Sequence, residues 1–426
     1  MRVLRNRRRL AGPLSLAAIL ACAAAALTRA GEPPVSRGRP GLLGLDRVAV
    51  WSAAPLDVEG LLREDAASAA RRDLAIPIRV GFRFEPDLAP ASAGTWEEIG
   101  NGDRLWRLRL RSPGALWLVA GFDSFRLQDG GSLWIYGARG DAFLGPYTTA
   151  DVRDHGELWT PPIEGDEIVL ELRWPAARRA ETPRLHLGTL SHGYRPFGTI
   201  GRAAWLERGD EVVEGIGDSG SCNIDVACPL GADWQDEKRG VVILLTSFGT
   251  SFCTGSMINN SAGDCKPYVL TAAHCKAGTS TAYGFGFERT DCGTGDPEPP
   301  TTYMISGGVV RGNYATSDFT LLEMSALPPE SFDFFLNGWS RDPSPPAESW
   351  PIHHPSGDVK KISHDDDPLV DGVNWGTTHW RVESYEEGTT EGGSSGSPLF
   401  DPGGRIVGQL HGGTASCDSL TWDEYG

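Results

Sequence analysis

Leu270-Thr271-Ala272-Ala273-His274-Cys275 is the stretch on which the reading of this chain turns. It ends a strand-like run, Tyr268 to Ala272, and delivers an imidazole beside a cysteine. Two later segments complete its chemistry. Thr316-Ser317-Asp318-Phe319-Thr320-Leu321-Leu322 offers a carboxylate, and Glu391-Gly392-Gly393-Ser394-Ser395-Gly396-Ser397-Pro398 offers a hydroxyl among glycines. Amide hydrolysis needs a nucleophile, a base, a group that orients the base, and donors for the developing oxyanion. Ser395, His274 and Asp318 can fill the first three roles, with Asp318 holding the imidazole in its productive tautomer. Glycines beside Ser395 let backbone N–H groups approach an oxyanion, and those of Gly393 and Ser395 are the candidate donors. Alone, a His-Cys pair is usually structural and a Gly-Ser run is usually a loop. Three such segments in order carry more weight than any one.

Around these segments the second half reads as β-structure, with runs such as Val241 to Thr246 separated by cysteines. The first half reads as all-β without cysteine between residues 41 and 190. Trp106, Leu108 and Leu110 alternate with Arg107, Arg109 and Arg111, and Ile168, Leu170, Leu172 and Trp174 alternate with Glu167, Glu171 and Arg173. That two-residue period predicts half-buried strands. With Asp129-Gly130-Gly131 and similar turn signals between them, the strands suggest a β-sandwich. Residues 196–221 show scattered glycine and charge without a sustained period, as expected of a linker.

The N-terminus carries five arginines within Met1 to Leu10, an apolar run from Leu14 to Leu27, and Thr28-Arg29-Ala30. Basic, apolar and small residues in that order predict a secretory signal peptide over residues 1–30. Cys22 raises a lipoprotein reading, disfavoured by the bulky Leu20, and the apolar run is short for a membrane span. The expected destination is therefore secreted, extracellular or periplasmic, with no membrane contact in the mature form. A net charge of −17 argues against nucleic acid or anionic lipid as a partner. Seven cysteines lie beyond the leader, where disulfides are the default, and none is spaced Cys-x-x-Cys as a zinc site would be. No metal or other cofactor is expected. His353-His354 and Asp365-Asp366-Asp367 read as structural and as a solvated loop, respectively.

The three segments resemble the trypsin-like serine proteases, whose order is His, Asp, Ser. Gly220-Ser221-Cys222-Asn223-Ile224-Asp225-Val226, Cys253-Thr254-Gly255-Ser256, Ile352-His353-His354-Pro355 and Gly408-Gln409-Leu410-His411-Gly412-Gly413 resemble the bacterial lysyl endopeptidases in particular. The resemblance spans residues 218–426. It implies an all-β chain: a sandwich-like propeptide domain over 31–195, a linker over 196–217, and a two-barrel protease domain over 218–426. It also implies disulfides Cys222–Cys417, Cys228–Cys292 and Cys253–Cys275, leaving Cys265 as a free thiol.

Thr389 stands where trypsin keeps its specificity acid, so that solution is absent. The lysyl endopeptidase pattern instead places the acid at Asp423, ahead of Tyr425-Gly426, and implies cleavage after lysine, with arginine weaker. Leu410, His411 and Gly412 would pair with the substrate backbone, and Trp375 and His411 would shape the cleft. Ser394 replaces the aspartate that, in trypsin, pairs with a newly cut N-terminus. Removal of the propeptide near Gly215 would then relieve obstruction or aid folding. The first lysine in the chain is Lys238, so a strictly lysine-specific enzyme could not cut that junction. Acceptance of Arg208, another protease, or a retained first domain would resolve this. Trypsin-like chains continue past the specificity loop into a final strand and helix, so a truncated second barrel is expected. The implied partners are protein or peptide substrates and the chain's own propeptide. The competing expectation is an inactive secreted binding or adhesion protein on the same scaffold.

Overall fold

A computed structural model describes residues 31–70, 77–100, 102–140, 142–207, 219–295, 297 and 300–426. The leader, Arg208 and the Gly215 junction lie outside the described residues.

The first half folds as two facing sheets. One runs Val50–Ser52, Arg104–Arg111, Glu167–Trp174, Ser132–Gly137 and Phe143–Tyr147, with Thr95–Glu98 on Arg104–Arg111. The other runs Ile163–Glu164, Trp117–Arg126, Arg184–Gly193 and Gly81–Phe84. Between them lies a core that includes Trp106, Leu108, Leu110, Leu118, Phe122, Phe125, Leu170, Leu172 and Leu190. Alternation sends these side chains to one face of each sheet, which is what a sandwich needs. The opposite face of Arg104–Arg111 is not simply solvated. Arg107 is buried, donating to Glu97 and to the Leu43 carbonyl.

The second half forms two further sheets. Seven of its strands lie in an eight-stranded sheet, in the order Met304–Ser306, Ala282–Gly284, Val241–Thr246, Ser251–Ile258, Tyr268–Ala272, Phe319–Met324 and Gly308–Tyr314. The eighth strand is Ile78–Arg79 from the first half, paired with Ser251–Ile258. A nine-stranded sheet holds Ile224–Asp225, Lys361–Ile362, Trp350–His353, Pro398–Phe400, Arg405–Gly413, Asp423–Tyr425, Trp380–Val382 and Val370–Asp371, with Gly338–Trp339 at its side. Asp423–Tyr425, expected to lie short of the last strand, is itself a strand between Arg405–Gly413 and Trp380–Val382.

The stretch read as a linker contains a helix, Arg202–Glu207, whose Trp205 is buried among Trp117, Val119, Phe197, Ile243 and Phe252. Cys265 is disulfide-bonded, not free. Cys222 is bonded to Cys417, Cys228 to Cys292 and Cys253 to Cys275. Among the described residues no helix is long and apolar enough to cross a membrane.

Candidate active site

Strand register brings the distant segments together. Tyr268–Ala272 pairs antiparallel with Phe319–Met324, and its last residue, Ala272, sits opposite Phe319. The residues that adjoin this end of the two strands, Ala273-His274 and Asp318, are therefore neighbours. Ala273 N–H donates to the Asp318 carbonyl at 2.7 Å and His274 N–H to Asp318 Oδ1 at 2.9 Å. His274 Nδ1 lies 2.6 Å from Asp318 Oδ2. An ionised carboxylate only accepts, so Nδ1 carries the proton and Nε2 is left as the basic nitrogen. Asp318 has a left-handed backbone, φ 51°. That costs a non-glycine residue energy and persists where surroundings hold it. Gln409 helps here, donating Nε2–H to the Asp318 carbonyl at 2.8 Å.

Ser395 is fixed by its backbone across the seam of the two sheets. Its carbonyl accepts from Thr254 N–H at 2.9 Å, on the first sheet, and the next amide, Gly396 N–H, donates to the Leu410 carbonyl at 2.8 Å, on the second. The Cys253–Cys275 disulfide ties the Ser251–Ile258 strand to the residue after His274. His274 Nε2 is buried and has no hydrogen-bond partner among the described residues, so it makes no bond to Ser395 here. Such bonds are often long without substrate and close in the complex. Gly393 adopts φ 92°, and a Cβ there would stand 2.2 Å from the Phe252 ring, so only glycine fits.

Ser394 does not hold an ion pair. His353 Nδ1 lies 2.8 Å from Ser394 Oγ, and His353 Nε2 lies 3.1 Å from Ser363 Oγ, which donates to the Thr389 carbonyl. With the Ser363 proton committed to Thr389, His353 donates from Nε2 and accepts from Ser394 at Nδ1. Ser394 Oγ in turn accepts from Glu391 N–H. Burial pushes the His353 pKa down to about 3, with the Lys361 charge adding to it, so the ring is neutral. His354 is likewise held at about 3, chiefly by burial. Both histidines are structural.

Beyond Asp318 lies a stack of rings. His411 sits where the Arg405–Gly413 strand slips register against Asp423–Tyr425, between Leu410 and Gly412. Such a bulge re-aims a side chain. The His411 ring stacks on Trp375 at 3.9 Å between centroids and on His274 at 5.9 Å. Its Nε2 is 3.7 Å from Asp318 Oδ2, and its Nδ1 is 3.0 Å from His379 Nε2. Burial pushes His411 down to about 4. Trp375 is placed by Glu424, fully buried, which accepts from the backbone N–H groups of Val373, Asn374 and Trp375. Burial raises the Glu424 carboxyl, but these amides and Asn374 hold it below its ordinary range.

Asp423 is 1 % exposed. Its Oδ2 accepts from Thr390 Oγ1 at 2.5 Å and from Tyr385 Oη at 2.9 Å. Gly413 leaves it room, because a Cβ there would stand 2.1 Å from Asp423 Oδ1. Burial pushes its pKa up to about 6 against the pull of those hydroxyls and the Ala415 amide. Among the described residues no lysine or arginine pairs with it.

Motif reading singled out Asp423, His411 and Trp375 but missed Glu424, His379, Thr390 and Tyr385. The adjacency of Glu424 to Asp423 on one strand was the available signal for the first. The other three carry no motif.

Two barrels with an imidazole, a carboxylate and a glycine-flanked serine gathered at their seam define a trypsin-like serine endopeptidase. The profile of the lysyl endopeptidase C-terminal domain matches residues 216–426, and that of the lysyl endopeptidase N-terminal domain matches residues 55–194. A lysyl endopeptidase of Pseudomonas aeruginosa is 28 % identical over 377 residues, covering 81 % of this chain and 77 % of its own. The chain belongs to the lysyl endopeptidase family. Solved structures similar to it include the protease Anisep from Arthrobacter nicotinovorans, at 14 % identity and TM-score 0.34, covering 48 % of this chain and 92 % of that one. Another is the Rv3671c protease Ser343Ala mutant of M. tuberculosis, at 18 % identity and TM-score 0.31, covering 47 % and 90 %.

Proposed function

We propose that this endopeptidase is secreted and cleaves peptide bonds after lysine, and less readily after arginine, through Ser395, His274 and Asp318. Ser395 Oγ attacks the scissile carbonyl while His274 Nε2 takes its proton. Asp318 steadies the imidazolium, and the N–H groups of Gly393 and Ser395 receive the oxyanion. His274 then protonates the departing amine, and water releases the acyl group by the same steps. The observation that carries the specificity is Asp423, a buried carboxylate that pairs with no lysine or arginine among the described residues. An ionised group in such a place is costly until an opposite charge arrives, and a substrate ammonium is that charge. Gly412 and His411 line the strand along which the substrate backbone would run, with Trp375 behind them.

The test is hydrolysis of matched peptides bearing lysine, arginine or a neutral residue before the cleaved bond, with Ser395→Ala as control. Turnover by the alanine variant equal to that of the parent would sink the catalytic assignment. For the first half, we propose a propeptide separated near Gly215. N-terminal sequencing of the secreted protein checks that, and a start upstream of residue 196 would refute it.

A further inference from the structure

The strand that links the two halves of the chain lies beside the catalytic loop. Ile78 pairs with Phe252 and Arg79 with Ser251 at the edge of the first barrel. Val80 N–H and Gly81 N–H both donate to the Thr250 carbonyl, at 2.7 and 3.2 Å. Phe252 precedes Cys253, which is tied to Cys275 next to His274, and its ring underlies Gly393. Above it, Ile78 Cδ1 stands 2.9 Å from where a Cβ on Gly392 would be. Ile78 therefore rests on the loop that carries Ser395.

This position has a direction. A substrate whose lysine enters the Asp423 pocket and whose upstream residues run along Gly412 is held by the second barrel. Residues after the cleaved bond would then lie over the first barrel, on the side where the Ser251–Phe252 edge adjoins the loop that carries Ser395. An open strand edge of this kind binds an extended peptide by ladder hydrogen bonds. Here the chain's own residues make that ladder.

The occupant is held from behind. Arg79 Nε donates to Asp65 Oδ1 at 2.8 Å, and its Nη2 to the Leu61 carbonyl at 3.2 Å and Glu64 Oε2 at 3.1 Å, all on the Val58–Ala70 helix. Asp65 Oδ2 in turn accepts from Tyr194 Oη at 2.8 Å and pairs with Arg195 at 3.1 Å. Val80, fully buried, packs in one core with Phe252, Ile243 and Leu245. A strand fixed in its bound shape loses little freedom on binding, so it competes well with a flexible substrate.

We propose that Ile78–Arg79 is a plug of the leaving-group side of the cleft. It excludes substrates that extend past the cleaved bond and leaves the lysine pocket open. The proposal rests on the endopeptidase reading above, and it makes the first half an inhibitor selective for substrate length.

The test uses the full chain with two lysyl substrates: an anilide chromogen that ends just past the cleaved bond, and a quenched peptide with four residues beyond it. Removing the Ile78 side chain with Ile78→Gly should raise peptide kcat/KM relative to that for the anilide by ~10-fold or more, by deleting apolar contact with the loop. Ile78→Val should leave that ratio near the parent value. If the glycine variant folds poorly, Arg79→Ala, which frees the strand from its helix, should move the ratio in the same direction. A ratio unchanged in a folded variant that still turns over the anilide overturns the plug alone. Absence of turnover with either substrate in every variant overturns the endopeptidase reading and the plug with it.

Discussion

Replacing Asp423 by asparagine should make the protein more stable and less selective at once. Its folded pKa of about 6 stands above the ordinary 3.8. A carboxyl raised on folding favours the protonated form in the native state, so the native state binds more protons between these values. Its ionisation thus weakens the fold progressively as pH climbs from about 4 to about 6 and by a constant amount above. Two pKa units correspond to about 3 kcal/mol. Asp423→Asn should recover much of that at pH 8 and almost nothing at pH 3.5, read from urea midpoints at the two pH values. Selectivity should move the other way. Truncating one member of a buried charge pair costs roughly 2–5 kcal/mol, so kcat/KM for lysyl substrates should fall by ~100-fold or more. The ratio of lysyl to neutral substrates cancels every step the two substrates share, and in the parent enzyme it should rise through one ionisation near pH 6. A variant that keeps both the lysine preference and its pH dependence would refute the pocket assignment. A variant no more stable at pH 8 than the parent would refute the claim that Asp423 is ionised without a partner.

Asp318→Asn should keep the fold and lower kcat by ~10⁴, through loss of the productive tautomer, measured in a burst-corrected assay. His411→Ala should lower kcat ~10-fold by removing the ring packed between Trp375 and His274; since His411 is neutral above about pH 4, the loss should be the same at pH 6 and pH 9. His353→Leu leaves the Ser394 and Ser363 hydroxyls without their shared partner, so a cost of about 1–3 kcal/mol is expected as a lower urea midpoint at unchanged slope. His353 and His354 are both held near pH 3, below their unfolded value, so they should make stability rise from about pH 3 to 6.5 and level off. Replacing Cys222 and Cys417 by serine opens a link across a sequence separation of 195 residues, worth ~5 kcal/mol in the chain-entropy model, visible as a fall in melting temperature.

The local signals in the sequence were enough for the strands and for the segments that gather at the seam. They did not extend to burial set by partners far away in the chain. Arg107 alternates with apolar neighbours as a solvated residue would, yet Glu97 and the Leu43 carbonyl enclose it. Nothing local to Glu424 marks it as buried, but Asp423–Tyr425 has strands on both sides, and the loop at 373–375 covers the carboxylate. The placing of His411 depends on a bulge, which exists only relative to a partner strand. The helix Arg202–Glu207 is six residues long, too short to display a period. Ile78–Arg79 shows the same limit most sharply, because two residues cannot announce which distant edge they will complete.

The backbone of Ser395 hangs between Thr254 on one barrel and Leu410 on the other. Neither barrel alone can hold that serine in place. A half-folded chain already owns every side chain of the chemistry and still has no working catalyst. Assembly itself thus acts as a lock, withholding activity until both barrels have closed on each other.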